Sequence, residues 1–245
     1  MAPAPRLLVV QHEPDAPVAW LGEWWTDLGL TLDVVRGDLG EHVADRLVDG
    51  RHDGLVVLGG AMGARDDALA PWLAPTRALV ADAVAREVPT LGVCLGHQLA
   101  GVALGGRVER NPSGRTVGLV PVALTDDGRD DPLLSGFDGH VAVHYNDDVV
   151  VEAPAGSTLL ATLPDGRPQA LRFGPRAWGV QFHPETSPEV FGAWLRWDSP
   201  DGLTPEQKEL LATVTAAREA LRSGWRVLAE RFAGVVAASR TSLPA

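Results

Sequence analysis

Cysteine is almost absent from this chain: 245 residues carry one, Cys94. That excludes an internal disulfide framework and any metal centre built on a cysteine cluster. Positive charge is scarce too. Against 32 Asp and Glu there are 21 Lys and Arg, and the formal net charge of −11 argues against a general nucleic-acid-binding surface and mainly favours solubility. Long hydrophobic runs are missing. No stretch approaches about eighteen uninterrupted apolar residues, and Met1–Pro5 has neither the basic nor the long apolar region of a secretory signal. The expectation is a cytoplasmic protein with no membrane and no nucleic-acid partner. What is present is enough chain for one substantial core.

The first half alternates short apolar runs with helix-compatible segments. Leu7–Val10, Leu32–Val35, Leu55–Leu58 and Leu91–Cys94 read as strands; Ala16–Leu28, Glu41–Val48, Thr76–Ala85 and the segment after Cys94 read as helices. That alternation predicts a parallel sheet covered on both faces, with binding residues at the carboxyl ends of its strands. Beyond Gly105–Gly106 the pattern changes. Val108, Val117–Val122, Val141–Tyr145 and Leu159–Leu163 are β-rich pieces between turn residues, which predict antiparallel strands added to the parallel sheet. Asp127, Asp130 and Asp131 read as a solvated acidic turn.

The candidate chemistry gathers at two stretches. In Thr90–Leu99 an apolar run ends in Gly92 and Gly96 around Cys94 and passes directly into a helix. This places Cys94 at a strand-to-helix turn, where unpaired helix amides favour a thiolate. In Ala177–Glu185 a strand arrives at a turn carrying His183 and Glu185, two apart and therefore on one side of extended backbone. The acid can then orient the imidazole while the imidazole serves the thiol. His97, three residues from Cys94, is a competing candidate base, but it lacks the orienting acid that His183 has in Glu185. His144 and Asp148 have metal-ligand chemistry, yet no Cys or dense His/Asp set lies nearby, and neither a metal nor a cofactor is expected.

These motifs carry a resemblance. Gly92-Val93-Cys94-Leu95-Gly96-His97-Gln98 resembles the nucleophile motif of class I glutamine amidotransferases, and Phe182-His183-Pro184-Glu185 resembles their histidine/glutamate motif. Leu58-Gly59-Gly60-Ala61-Met62-Gly63 resembles the loop that contributes an oxyanion-hole amide, with Ala61 where relatives often have proline. The likeness covers roughly residues 7 to 195 in the family's order and is nearest to stand-alone proteins similar to the glutaminase domain of GMP synthase. It implies a flavodoxin-like three-layer α/β fold with a mixed central β-sheet. It also implies Cys94, His183 and Glu185 as catalytic residues, with oxyanion amides at Gly60 and Leu95. Gln98 matches a family position at the glutamine pocket. His144-Tyr145-Asn146-Asp147-Asp148 resembles the family's His-x-His-x-Asp segment, which adds His144 and Asp148 as substrate contacts.

The resemblance supplies glutamine as substrate; residue types alone support a thiol-dependent acyl transfer or hydrolysis. No ATP pyrophosphatase region of the kind attached in complete GMP synthase is recognisable. The expectation is therefore glutamine hydrolysis with ammonia passed to a synthetase, the alternatives being a free-standing γ-glutamyl hydrolase and a non-catalytic regulatory or scaffold protein. Residues 1–198 form the expected catalytic domain and 199–245 a helical extension. In that extension Leu210, Val214, Ala217, Leu221, Trp225, Leu228 and Phe232 trace one amphipathic helix, whose apolar face either packs back onto the catalytic domain or meets a second copy or partner.

Overall fold

The computed structural model describes residues 3–163 and 165–241; the last four residues of the C-terminal extension lie outside them. In chain order the elements are β1 (Arg6–Gln11), α1 (Ala19–Asp27), β2 (Thr31–Arg36), β3 (Gly54–Val57), α2 (Leu73–Ala85), β4 (Thr90–Val93), α3 (Leu95–Ala103), β5 (Arg107–Arg110), β6 (Thr116–Pro121), β7 (Ala123–Leu124), α4 (Asp126–Arg129), β8 (Val141–Asn146), β9 (Asp148–Glu152), β10 (Thr158–Thr162), β11 (Pro168–Gly174), β12 (Ala177–Val180), α5 (Pro188–Asp198), α6 (Pro205–Ala216) and α7 (Arg218–Thr241). The main sheet runs β2-β1-β3-β4-β12-β11-β10-β7. Its first five strands are parallel and the rest antiparallel, giving the mixed central sheet of a three-layer α/β fold. Every residue of β3, β4 and β12 is buried, as helices on both faces of a parallel sheet require.

Local signals account for the starts of two later helices. Ser187 caps α5 with Pro188 in its first turn, and Thr204 with Gln207 forms a reciprocal capping box at α6. Gly29, at φ 82°, turns the chain out of α1 into β2.

Four expectations are corrected. Glu41–Val48 is not a helix. Its apolar anchors are Val43 and Leu47, and the Leu47 backbone is held by α2 instead of by its own turn: its N–H donates to Asp82 Oδ2 at 2.9 Å and its carbonyl accepts from Arg86 at 2.8 Å. Of the β-rich pieces after Gly106, only the one at Leu159–Leu163, as β10, joins the main sheet. β5 pairs with β9 and β6 with β8 as separate two-stranded ribbons. Asp131 is not solvated but 1% exposed. It accepts from the Trp178 indole at 3.2 Å and from the Leu133 and Leu134 amides, tying the acidic turn beneath β12. The single C-terminal helix is two, broken at Ala217.

That break lets the two helices pack in different places. α6 lies against α5 and β6, and α7 against α1. The apolar residues of α7 belong to the same core as the sheet: Trp225 stacks on Phe137 at 4.7 Å and meets Phe182 at 4.9 Å, while Phe232 meets Trp25 at 5.6 Å. Indole donors close the seam, from Trp225 to the Val141 carbonyl and from Trp25 to the Ala229 carbonyl, both at 3.1 Å. Truncating a ring buried in this way typically costs about 3–5 kcal/mol.

Candidate active site

The carboxyl ends of β1, β3, β4 and β12 converge on one cavity of about 420 Å³. Cys94 sits between β4 and α3 with φ 51° and ψ −105°, a backbone region costly for a side-chain-bearing residue. Its N–H donates to the Val180 carbonyl at 2.8 Å, which locks the turn onto β12. Gly96 makes the turn possible, because a Cβ there would overlap the Val57 carbonyl. Leu95 opens α3, so its N–H is among the helix donors with no intrahelical acceptor. Gly60, at the exit of β3, lies against Leu95: a Cβ on Gly60 would sit 3.0 Å from Leu95 Cδ2.

β12 delivers the histidine. His183 Nδ1 lies 2.7 Å from Glu185 Oε1 and both side chains are buried, as is Nε2. The His183 N–H donates to the Val143 carbonyl at 2.8 Å, pinning the turn to β8. Next to it, a Cβ on Gly59 would press on His183 Cε1 at 3.0 Å and stand 3.6 Å from Cys94 Cβ. Burial alone would lower the imidazolium pKa of His183. Interactions with Glu185 and Cys94, both electrostatic and through hydrogen bonding, outweigh it, and the pKa is pushed up to about 10.

His97 shows the opposite case. It is fully buried beside Phe173, with ring centroids 5.7 Å apart and neither ring nitrogen hydrogen-bonded, and burial pulls its pKa down to about 3. Among the described residues no carboxylate orients it.

The remaining sequence-derived residues divide. Gln98 and Asp148 line the cavity. Gln98 Nε2 donates to the Asp148 carbonyl at 2.9 Å and to Gln181 Oε1 at 3.2 Å, so its amide braces the β8–β9 turn. The Asp148 carboxyl is pushed up by burial and by Asp147 and Asp66, against the pull of Arg110. His144 does not line the cavity. It is buried next to Phe182, and burial together with the charge on His183 lowers its pKa to about 4. Among the described residues no group of three or more His, Cys, Asp or Glu side chains is placed to hold a metal ion, and no helix is long and apolar enough to cross a membrane.

Several contacts escape the sequence reading. Gln181 Nε2 donates to Cys94 Sγ at 3.5 Å. Strand alternation could have found it, since Gln181 stands two before His183. Glu13 lines the cavity and accepts from the Ala61 N–H, a donor that proline at this place would lack. Trp194 packs on His183 with centroids 4.6 Å apart, a contact across the fold that no local pattern announces.

The turn carrying Cys94 after β4, the glycine exit from β3 and the His-x-Glu turn after β12 meet at one end of the sheet of an α/β protein, where Cys94, Gly60 and His183 line one cavity. The family comparison agrees: residues 21–196 match the model described as glutamine amidotransferase class-I, and the chain belongs to that family. It is 42% identical over 103 residues to a glutamine-hydrolyzing GMP synthase subunit from Saccharolobus solfataricus, a match covering 40% of this chain and about half, 52%, of that protein. It is 27% identical over 218 residues to the glutamine amidotransferase-like protein YfeJ of Salmonella typhimurium, covering 87% of this chain and 89% of that one. In fold it resembles the glutamine amidotransferase tm1158 of Thermotoga maritima, with a TM-score of 0.82, 24% identity, and 94% and 98% of the two chains covered.

Proposed function

We propose that the protein hydrolyses the side-chain amide of glutamine through a thioester on Cys94. The observation that carries this reading is the buried His183–Glu185 pair at 2.7 Å, whose His183 lines one cavity with a thiol on a strained strand-to-helix turn. The Cys94 thiolate attacks the γ-carbonyl carbon. The resulting oxyanion is received by backbone amides at Gly60 and Leu95. His183, held by Glu185, gives its proton to the departing ammonia and then takes one from water, which cleaves the thioester to release glutamate. Glu13 holds the Gly60–Ala61 loop through the Ala61 N–H, and Gln98 supports the turn that presents Asp148 to the substrate ammonium. His144 acts from behind the wall.

In this reading ammonia goes to a separate synthetase, whose docking face lies away from the apolar side of α7, since that side is covered by the core. The test is glutamate and ammonia release from glutamine by the purified protein and by Cys94→Ala. Release that requires Cys94 is expected; release that survives the substitution would sink the thioester.

A further inference from the structure

The cavity is larger and more negative than glutamine needs. Glutamine has ten non-hydrogen atoms; allowing each as much as a water's share of liquid volume, about 30 Å³, leaves over a quarter of the space unfilled. Six carboxylates line the cavity, those of Glu13, Asp15, Asp66, Asp147, Asp148 and Asp198. Two guanidinium groups oppose them. Arg110 is divided between Asp147 at 3.4 Å and Asp148 at 3.8 Å, and Arg115 between Asp147 at 3.7 Å and Asp198. The lining therefore keeps a surplus of negative charge, and the upward push on the carboxyls of Glu13 and Asp148 has neighbouring carboxylates among its causes, after burial. A zwitterionic glutamine brings no net charge to offset this.

The surplus has a direction relative to the reacting atoms. The amide nitrogen that leaves must face the buried His183 Nε2. The wall running outward from His183 is Trp194, whose indole donates to the Asp15 carbonyl at 2.6 Å and whose carbonyl accepts from the Tyr145 hydroxyl at 3.0 Å. Tyr145 also donates to Asp198 Oδ2, the same oxygen that meets Arg115. An aromatic strip with the Asp198 carboxylate at one edge and the Asp15 backbone at the other, both residues lining the cavity, thus extends the path of the leaving group.

We infer that the site takes γ-glutamyl amides whose amine portion carries a positive charge, with that portion lying along Trp194 and Tyr145 between Asp15 and Asp198. The inference rests on the Cys94 hydrolysis proposed above and replaces ammonia by a larger leaving amine. The balance is unchanged: the C–N bond breaks, the amine departs with the His183 proton, and water supplies the hydroxyl of glutamate. Trp194 and Tyr145 cover the alkyl part, and the carboxylates meet the cation.

The experiment compares glutamine, γ-glutamylcadaverine and its uncharged isostere γ-glutamylhexylamine, following glutamate release by the wild-type protein and equilibrium binding by Cys94→Ala. The cationic amide is expected to exceed the isostere by about tenfold or more in kcat/KM and in affinity, with the ratio shrinking in high salt and collapsing toward one in D15N/D198N. Cys94-dependent glutamate release with no preference for the cationic amide, or with glutamine as the best substrate, overturns this inference and leaves the hydrolase reading standing. No Cys94-dependent release from any of the three overturns the hydrolase reading. In that case equal affinity of Cys94→Ala for the two amides overturns the inference as well.

Discussion

Two regions of the molecule bury a histidine next to the same helix turn, and they treat it in opposite ways. Beyond β12, His183 is pushed up to about 10; on α3, His97 is pulled down to about 3. Both are withdrawn from solvent, so burial is not what separates them. The difference is a carboxylate at 2.7 Å and a sulfur across the cavity in one case, and Phe173 with no polar partner in the other. A buried imidazole becomes a proton carrier only where opposite charge is built in beside it. Sequence proximity to Cys94 favours His97, whereas the cavity that Cys94 lines is shared by His183 and not by His97.

The contrast is open to direct attack. His183→Asn is expected to lower kcat/KM for amide hydrolysis by about 10²–10⁴-fold, the usual span for general acid–base catalysis, in steady-state assays of glutamate release. An undiminished rate would return the role to His97.

Glu185→Gln should cost less, on the order of 10²-fold. It also changes the pH dependence in a defined direction. With Glu185 present, the folded-state pKa of His183 is raised, so its contribution to stability is full below pH 6.5 and is lost as pH rises through about 10. Without the carboxylate, burial dominates and the imidazolium pKa falls. The alkaline limb of both the rate profile and the stability curve then moves to lower pH, as imidazole NMR titration and thermal melts across pH 6–10 would record.

Gln181→Met removes the donor to Cys94 Sγ while keeping bulk. A loss of about three- to tenfold in kcat/KM is expected, in line with one hydrogen bond worth about 1 kcal/mol. A larger loss would mean that Gln181 also contacts the substrate.

His97→Met is expected to leave activity within about twofold, since it touches no reacting group. Its effect appears in stability. The lowered pKa of His97 means that its neutral form supports the fold above pH 6.5 and that this support is lost as pH falls toward 3. The penalty reaches on the order of 2 kcal/mol at pH 5, and the methionine variant, which cannot charge, should show a shallower acid limb in thermal melts between pH 7 and 4.

Much of the sheet is legible in the sequence because its signals are short-range. A buried parallel strand is a run of apolar residues, and Leu7–Val10, Leu55–Leu58 and Leu91–Cys94 each fall on one. Glu41–Val48 reads as a helix because Val43 and Leu47 also satisfy a helical period, and nothing local reveals that Asp82 and Arg86 will take the Leu47 backbone. Asp131 reads as solvated for the same reason: its partner Trp178 is 47 residues away. The β6–β8 ribbon reads like sheet strands, because alternation announces a strand but not which strand it pairs with.

The sequence by itself determined the glycine-bounded turn that strains Cys94, the two-residue spacing that puts Glu185 on the same side as His183, and the strand–helix alternation that brings such turns to one end of a sheet. These follow from backbone sterics and from the periods of extended and helical chain, which act within a few residues. Tertiary structure alone decided that His144 stands behind the wall, that Trp194 backs His183, and that α7 closes the core. Those outcomes depend on side chains brought together from distant parts of the chain, where close packing and the pairing of buried polar groups select the partner.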